Sequence, residues 1–392
     1  MKDFRAQAEA LRDEMVERRR DLHEHPELGF EEVRTAGIVA QELNGLGLEV
    51  QTGIGKTGVV GILEGSVDGP TVLVRCDMDA LPIQEENDVE YRSQTPGKMH
   101  ACGHDGHVTI ALAVAKMLSA RRDELQGRVK FIFQPAEEIG LGAKAMISDG
   151  VLLDPAPDVL LGLHLWNELP VGEVSVTPGG MMAGADIFSA FIKGTGAHAA
   201  LPHRSADPVM TMVQIISALQ TMVSRNVSPL DGAVFSITQV HAGHARNVIP
   251  ELAEFHGTLR NFSPDVRELL VGRAHSIVSG IAAAMGCEGK ITFEQQSLPV
   301  INDAAVAARL KRGFEQIAPE LNIRDDVQTM AAEDVSFFLD AAPGQYFFVG
   351  SANKDRGLNY THHHPRFDFD EEALVIGARL LASAAAEYVL PE

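Results

Sequence analysis

The sequence is expected to fold as an α/β protein on a mainly parallel sheet, with a smaller ferredoxin-like domain inserted into it. Three observations predict this. Apolar, β-branched runs recur at 71–76, 128–133 and 158–163, with helical stretches near 106–120 and 142–149 between them. These runs are hydrophobic throughout rather than alternating, as in strands covered on both faces, the condition of a parallel sheet. Near residue 185 the order changes: strands at 186–193, 233–240, 251–260 and 289–295, with helices near 207–224 and 264–286, read as βαββαβ.

The remaining elements follow from local periodicity. Residues 3–22 repeat with helical spacing and carry many charges, and 33–46 form a second amphipathic helix that stops at Gly45 and Gly47. After Leu298-Pro299 the α/β pattern resumes, with helices near 303–317 and 333–340, a strand at 345–349 and a closing helix from about 370 to 388. This parsing assigns 1–184 and 297–392 to a main domain and 185–296 to the insertion.

Composition narrows the possible functions. A chain of 392 residues with 45% hydrophobic content is long enough for two domains and a substantial core. Its 33 Lys and Arg against 54 Asp and Glu give a net charge of −21, which argues against nucleic-acid or acidic-membrane partners. No apolar run approaches the roughly 18 to 20 residues needed to span a bilayer. The N-terminus opens with charge rather than with a signal peptide, so a cytoplasmic location is expected. Three cysteines make no disulfide framework, which suits a reducing compartment and leaves Cys102 available as a thiolate. Cys76 and Cys287 stand among apolar neighbours and are expected to be buried and inert.

The densest chemistry lies in Met99-His-Ala-Cys-Gly-His-Asp-Gly-His107. Cys102 and His104 are two apart, so in an extended segment both side chains leave the same face and can meet one ion. Other ligand types stand where core strands end: Asp77-Met-Asp79, Gln134-Pro-Ala-Glu137-Glu138, and His164. Ligands of open parallel sheets bind beyond the carboxyl ends of the strands, so these residues should share one edge. Glu137 and Glu138 are adjacent and should point in different directions, one toward metal and the other toward the water it activates. The run His362-His363-His364-Pro, read by itself, is a solvated loop with a modest bias toward metal.

Eight segments together carry a family resemblance: His25-Pro-Glu-Leu-Gly-Phe-Glu-Glu, Asp77-Met-Asp-Ala-Leu-Pro, Met99 to His107, Gln134-Pro-Ala-Glu-Glu, Gly162-Leu-His-Leu-Trp, Gly196-Ala-His-Ala-Ala-Leu-Pro-His, Asn247-Val-Ile-Pro and His364-Pro-Arg-Phe-Asp-Phe-Asp. In this order they resemble the dinuclear metallo-amidohydrolases that include hippurate hydrolase, N-acetyldiaminopimelate deacetylase and the auxin-conjugate hydrolases, across nearly the whole chain. The resemblance implies a zinc-peptidase-like catalytic domain and a lid and dimerisation role for the insertion. It implies two divalent ions per subunit, zinc first, with manganese, cobalt or nickel as other candidates. Cys102 would bridge them, His104 and His164 completing one site and Glu138 and His363 the other. Glu137 would be the general base and Asp79 the acid that supports the site. His198 would stabilise the oxyanion across a homodimer, and Asn247 and Arg260 would hold the free carboxylate of an N-acyl amino acid or short peptide. The residue before the family ligand is usually leucine, whereas here it is His362.

The chemistry of the residues agrees with these roles. An amide is a poor electrophile, and a metal supplies both carbonyl polarisation and an activated water at neutral pH. Glu137 would take the proton and pass it to the departing amine. His23, His25, His100, Asp105 and His107 are expected to be scaffold, Glu333-Asp334 a helix start supporting the site, and Trp166 a packing residue. A zinc nucleobase deaminase would need Pro-Cys-x-x-Cys, which the three separated cysteines exclude. A catalytically inactive binding or sensor protein on the same fold is the other reading. The complete ligand set with Glu137 argues against it.

Overall fold

The computed structural model describes residues 1–391. They form two compact units, one of 1–179, 301–328 and 334 onward, the other of 180–300 and 329–333. The second unit is slightly wider than 185–296 and takes in a short distant segment. The cause is backbone pairing: Thr329 N–H donates to Met181 O at 3.0 Å, and Ala183 N–H donates to Ala331 O at 3.0 Å.

The first unit is built on an eight-stranded sheet in the order Glu49–Ile54, Gly58–Glu64, Gln126–Gln134, Val67–Asp77, Val159–Pro170, Gly344–Ala352, Glu173–Ser175 and Asn322–Arg324. The four central strands are parallel, with Val72 level with both Val129 and Val159 and Leu163 level with Phe347. Antiparallel pairing enters at Gly58–Glu64 on one side and Glu173–Ser175 on the other. The helix His104–Ser119 is buried nearly all round because its sequence is apolar on every face, from Val108 to Leu118. It packs against Glu372–Val389, Arg12–Glu24 and the strand Val67–Asp77.

Several elements differ from expectation. The stretch 3–22 is two helices, Arg5–Ala10 and Arg12–Glu24, broken at Leu11. The strand expected to end at 163 continues to Pro170 because Gly344–Ala352 keeps pairing with it, so His164 lies inside a strand rather than after one. The helix expected at 333–340 is only Ser336–Leu339. The hairpin of Glu49–Ile54 and Gly58–Glu64 was not anticipated.

The second unit has strands Gly184–Lys193, Ala233–Ala242, Leu252–Asn261 and Glu288–Ser297, all antiparallel. In chain order their spatial order is 2-3-1-4, the ferredoxin-like arrangement. The helical stretch near 207–224 is Pro208–Leu219 followed by Thr221–Asn226. Phe188, Ala190, Ile192, Phe255 and Leu259 form the inner sheet face, packed with Ile215 and Leu219 of the first helix and Leu270 and Val278 of Pro264–Ala284. No helix among the described residues is long and apolar enough to cross a membrane.

A buried charge network holds the N-terminal helix in the first unit. Arg19 Nε donates to Asp105 Oδ2 at 3.0 Å and its Nη2 to Asp368 Oδ1 at 2.7 Å. His23 lies 2.7 Å from Asp105 through Nδ1 and 3.2 Å from Glu85 through Nε2. Burial and the Arg19 cation oppose protonation of His23, yet the hydrogen bonds to Asp105 and Glu85 prevail and raise its pKa to about 9. Burial would raise the Asp105 pKa, but Arg19 and His23 hold it well below the usual carboxylate range. The His23 contribution is therefore complete below pH 6.5 and lost as pH rises through about 9. That of Asp105 is present above its unfolded pKa of 3.8 and lost in acid. Urea unfolding under chelation should lose stability between pH 6 and 9.5, in part through His104, and His23→Gln should remove roughly 3 kcal/mol of that loss. An equal pH dependence in the variant would contradict the assignment.

Candidate metal centre

The site is assembled by loops at the carboxyl edge of the central strands. Arg75 pairs with Gly162, which sets His164 level with Asp77. The Cys102–His104 segment is not extended as the spacing argument assumed. Gly103 has φ +85°, a conformation that favours glycine, and His104 is the first residue of its helix. A turn, rather than a shared strand face, makes Cys102 and His104 converge.

Glu137 and Glu138 also lie in a turn, closed by Gly140 N–H donating to Glu137 O at 2.7 Å. Both carboxylates consequently face His104, whose Nε2 is 4.0 Å from Glu137 and 3.9 Å from Glu138, and the expected opposition of adjacent side chains does not hold. Asp79 carries the turn. Its Oδ1 accepts Glu137 N–H and its Oδ2 accepts Glu138 N–H, each at 3.0 Å. The preceding Ala136 has φ +52°, and its N–H donates to buried Glu32 at 2.8 Å. Glu27 caps the helix Val33–Gly45 by accepting from the Arg34 and Thr35 N–H groups, both at 2.9 Å. A Cβ on Gly29 would lie 3.1 Å from Ala136 Cα, so the His25 to Glu32 segment is packed directly under the turn.

The ligand atoms of Cys102, His104 and His164 all lie within 4.8 Å of one another, as do those of Cys102, Glu138 and His363 and those of His104, Glu137 and Glu138. Cys102 is common to the first two groups, with Sγ 3.6 Å from His164 Nε2, and His363 Nε2 is 3.3 Å from Glu138 Oε2. His104 Nε2 and Glu138 Oε1 are buried without a hydrogen-bond partner. Atoms in that state cost free energy unless a partner arrives, and a cation coordinated by both satisfies them, so these residues fit a metal.

Electrostatics points the same way. Burial opposes the His104 cation, but Asp77, Asp79 and Glu138 raise its pKa to about 10, so the pocket favours positive charge there. Burial, then Glu138, Glu137 and Asp77, push the Cys102 thiol well up; a divalent cation reverses that balance and makes the thiolate accessible. Burial raises the Glu138 pKa, but His363 and His104 outweigh it and hold the carboxyl below its usual range. Burial, with His107 and His362, keeps His164 neutral. Its Nδ1–H donates to Leu165 O at 2.7 Å, which leaves Nε2 as a lone-pair donor toward Cys102.

His107 is excluded as a ligand because both nitrogens are engaged: Nδ1–H donates to Asp77 Oδ1 at 2.6 Å and Nε2 accepts Leu165 N–H at 2.9 Å. Asp77, expected among the ligand types at the strand ends, is instead tied by Arg75 Nη1 at 2.7 Å and braces His107. Its two-residue spacing from Asp79 was the available signal. Asp334 is not a helix cap. It accepts from Gln134 Nε2 at 2.6 Å, Ala143 N–H at 3.0 Å and Arg75 Nη2 at 3.2 Å, joining the strand end to the following helix. Trp166 stacks on Phe348 at 4.3 Å. Cys76 is buried, whereas Cys287 is half-buried and lies 3.3 Å from Thr211 Oγ1.

His198, Asn247 and Arg260 belong to the inserted unit. His198 is on the short strand Ala197–His198, paired with Val248, and its Nδ1 accepts Ala200 N–H at 3.1 Å, so the proton sits on Nε2. Asn247 is beside it, its carbonyl accepting Ala199 N–H at 3.0 Å. Arg260 is half-buried, hydrogen-bonded to Thr258 and to Leu259 O, and paired in register with Ala185 and Val234. It lies near the opposite end of Leu252–Asn261 from the Asn247 ribbon, about 26 Å along the strand at ~3.3 Å per residue.

A mainly parallel sheet whose carboxyl edge gathers a thiol, imidazoles and paired carboxylates around buried atoms without hydrogen-bond partners has the make-up of a metal-binding hydrolase. Comparison with known proteins makes the assignment specific. The chain belongs to peptidase family M20/M25/M40, whose model matches residues 73–387. It is 42% identical over 388 residues to the putative amidohydrolase YhaA of Bacillus subtilis, covering 99% of this chain and 98% of that protein. It is 41% identical over 382 residues to IAA-amino acid hydrolase ILR1-like 4 of Arabidopsis thaliana, covering 96% and 86%. The crystal structure of the Bacillus subtilis YXEP protein, a dinuclear metal binding peptidase from the M20 family, superposes with a TM-score of 0.86 at 35% identity, covering 97% of this chain and 98% of that one.

Proposed function

We propose that the chain hydrolyses the amide bond of N-acyl-L-amino acids, using two divalent ions bridged by Cys102. The observation that carries the reading is the sharing of Cys102 by two three-residue groups of converging ligand atoms. His104 and His164 would complete one site, Glu138 and His363 the other. Zinc suits thiolate and imidazole donors best, with manganese, cobalt or nickel as competitors. The ions, when bound, supply Lewis acidity that polarises the carbonyl and eases deprotonation of water. Glu137 takes that proton and delivers it to the departing amine. Asp79 fixes the peptide N–H groups of Glu137 and Glu138 and so aims both carboxylates. The substrate class follows the relative named for cleaving IAA-amino acids. The three free cysteines suit a reducing cytoplasm.

The insertion is assigned the lid and dimerisation role. His198, with its Nε2–H free to donate, stabilises the oxyanion of a partner subunit, and Asn247 and Arg260 hold the substrate carboxylate. Asn247 precedes the start of the strand Leu252–Asn261 whereas Arg260 stands near its other end, which supports donation from different subunits of a homodimer. Co-refolding Glu137→Ala with His198→Ala chains should recover about a quarter of wild-type activity, since random pairing makes half heterodimers with one intact site each. No recovery under confirmed mixing would refute the shared site. The reaction itself is tested by amine release from acetyl, benzoyl, indole-acetyl and long-chain acyl amino acids after metal reconstitution. Silence across that panel would favour the binding or sensor reading.

A further inference from the structure

Leu165 is held through its backbone by three imidazoles. Its N–H donates to His107 Nε2 at 2.9 Å, while its carbonyl accepts His164 Nδ1–H at 2.7 Å and His362 Nε2–H at 2.9 Å. His107 and His164 already have roles, but His362 has none in the proposed reaction. Its ring stacks on Trp166 at 4.6 Å and meets His164 edge-on at 5.2 Å and Phe367 at 5.0 Å, so it is fixed as well as hydrogen-bonded. The next residue, His363, has φ +64°, a conformation that a non-glycine residue keeps only when its surroundings enforce it. Three contacts hold it here: the His363 N–H donates to Ala101 O at 2.8 Å, the His364 N–H donates to Thr361 O at 3.3 Å, and His362 grips Leu165 O. Ala101 immediately precedes Cys102, and Leu165 immediately follows His164.

We infer that His362 is a positioning residue that couples the two metal sites, gripping the carbonyl that orients His164 while setting the left-handed turn that presents His363. This rests on the metal-site reading of His164 and His363 given above. An apolar side chain at 362 would fill the space beside Trp166 but could not donate to Leu165 O. The turn would then keep its backbone bonds, His363 N–H to Ala101 O and His364 N–H to Thr361 O, but lose its one anchor on the His164 strand, and His363 would sample orientations away from Glu138. His164 would keep its own hydrogen bond to Leu165 O, so the group of Cys102, His104 and His164 would be affected less.

The test uses the full-length protein, stripped and titrated with cobalt(II), with occupancy read by absorbance and by equilibrium dialysis. Wild type should take up two ions. His362→Leu should weaken one of them by about tenfold or more, within the range known for outer supports of metal ligands, and leave the other within a few-fold. His362→Gln, which keeps a donor, should restore most of the loss, and ¹⁵N spectra should show His164 with its proton still on Nδ1. The melting temperature of the metal-free protein should be alike in both variants. Two ions bound by His362→Leu as tightly as by wild type would overturn the inference, as would equal weakening in both variants with matching losses of metal-free stability. Failure of wild type to bind a second ion would instead overturn the two-metal reading and the inference with it.

Discussion

Glu137→Gln is expected to lower turnover by about 10²- to 10⁴-fold while leaving both ions bound. That range is roughly 3 to 5 kcal/mol of transition-state stabilisation, the scale of general acid-base catalysis by one well-placed group. The substitution is nearly isosteric, and the backbone N–H of residue 137 would remain on Asp79. Metal content by mass spectrometry and turnover on a cleaved substrate should therefore separate cleanly. Unchanged turnover at full metal loading would remove Glu137 from the proton path. Loss of metal in step with activity would make it a ligand instead, a real alternative because Glu137 also belongs to a converging group with His104 and Glu138.

Cys102→Ala should fail differently. Because its sulfur is shared by two ligand groups, the substitution should weaken both ions, by about 10²-fold or more given that even outer supports are worth 10- to 100-fold. His363→Ala, by comparison, disrupts only one of those groups. Added metal at 100 times its dissociation constant stabilises a protein by about 2.7 kcal/mol per site, so the metal-dependent rise in melting temperature should be clear in wild type and nearly absent in Cys102→Ala. A full thermal response in the variant would rule out the thiolate bridge.

The legible parts of this molecule were those written in local pattern. The continuous apolar runs identified the central strands because burial on both faces leaves no polar position to interrupt them. The βαββαβ order survived splitting of its first helix because strand order depends on periodicity rather than on element boundaries. The candidate ligand residues were legible through motifs, but their convergence was reached by a different route. An extended Cys102–His104 segment and opposed glutamates are properties of strands, whereas both segments are turns that depend on Gly103 and Ala136 at positive φ. Positive φ at an alanine or a histidine leaves no trace in composition, because distant partners such as Glu32 enforce it. The pairing of Asp77 with His107 and of Asp334 with Gln134 was hidden for the same reason: these contacts join residues far apart in sequence, where spacing carries no information.

One carboxylate, that of Asp79, grips the two consecutive peptides that carry the proposed base and a proposed metal ligand. Affinity for metal and speed of reaction are thereby geared to a single lever. Substitutions that shift the turn should move both quantities together, so variants selected only for tighter metal retention will carry a correlated change in rate. Tuning one without the other requires changes beyond the turn, in the side chains that approach Glu138 from the far side, such as His363.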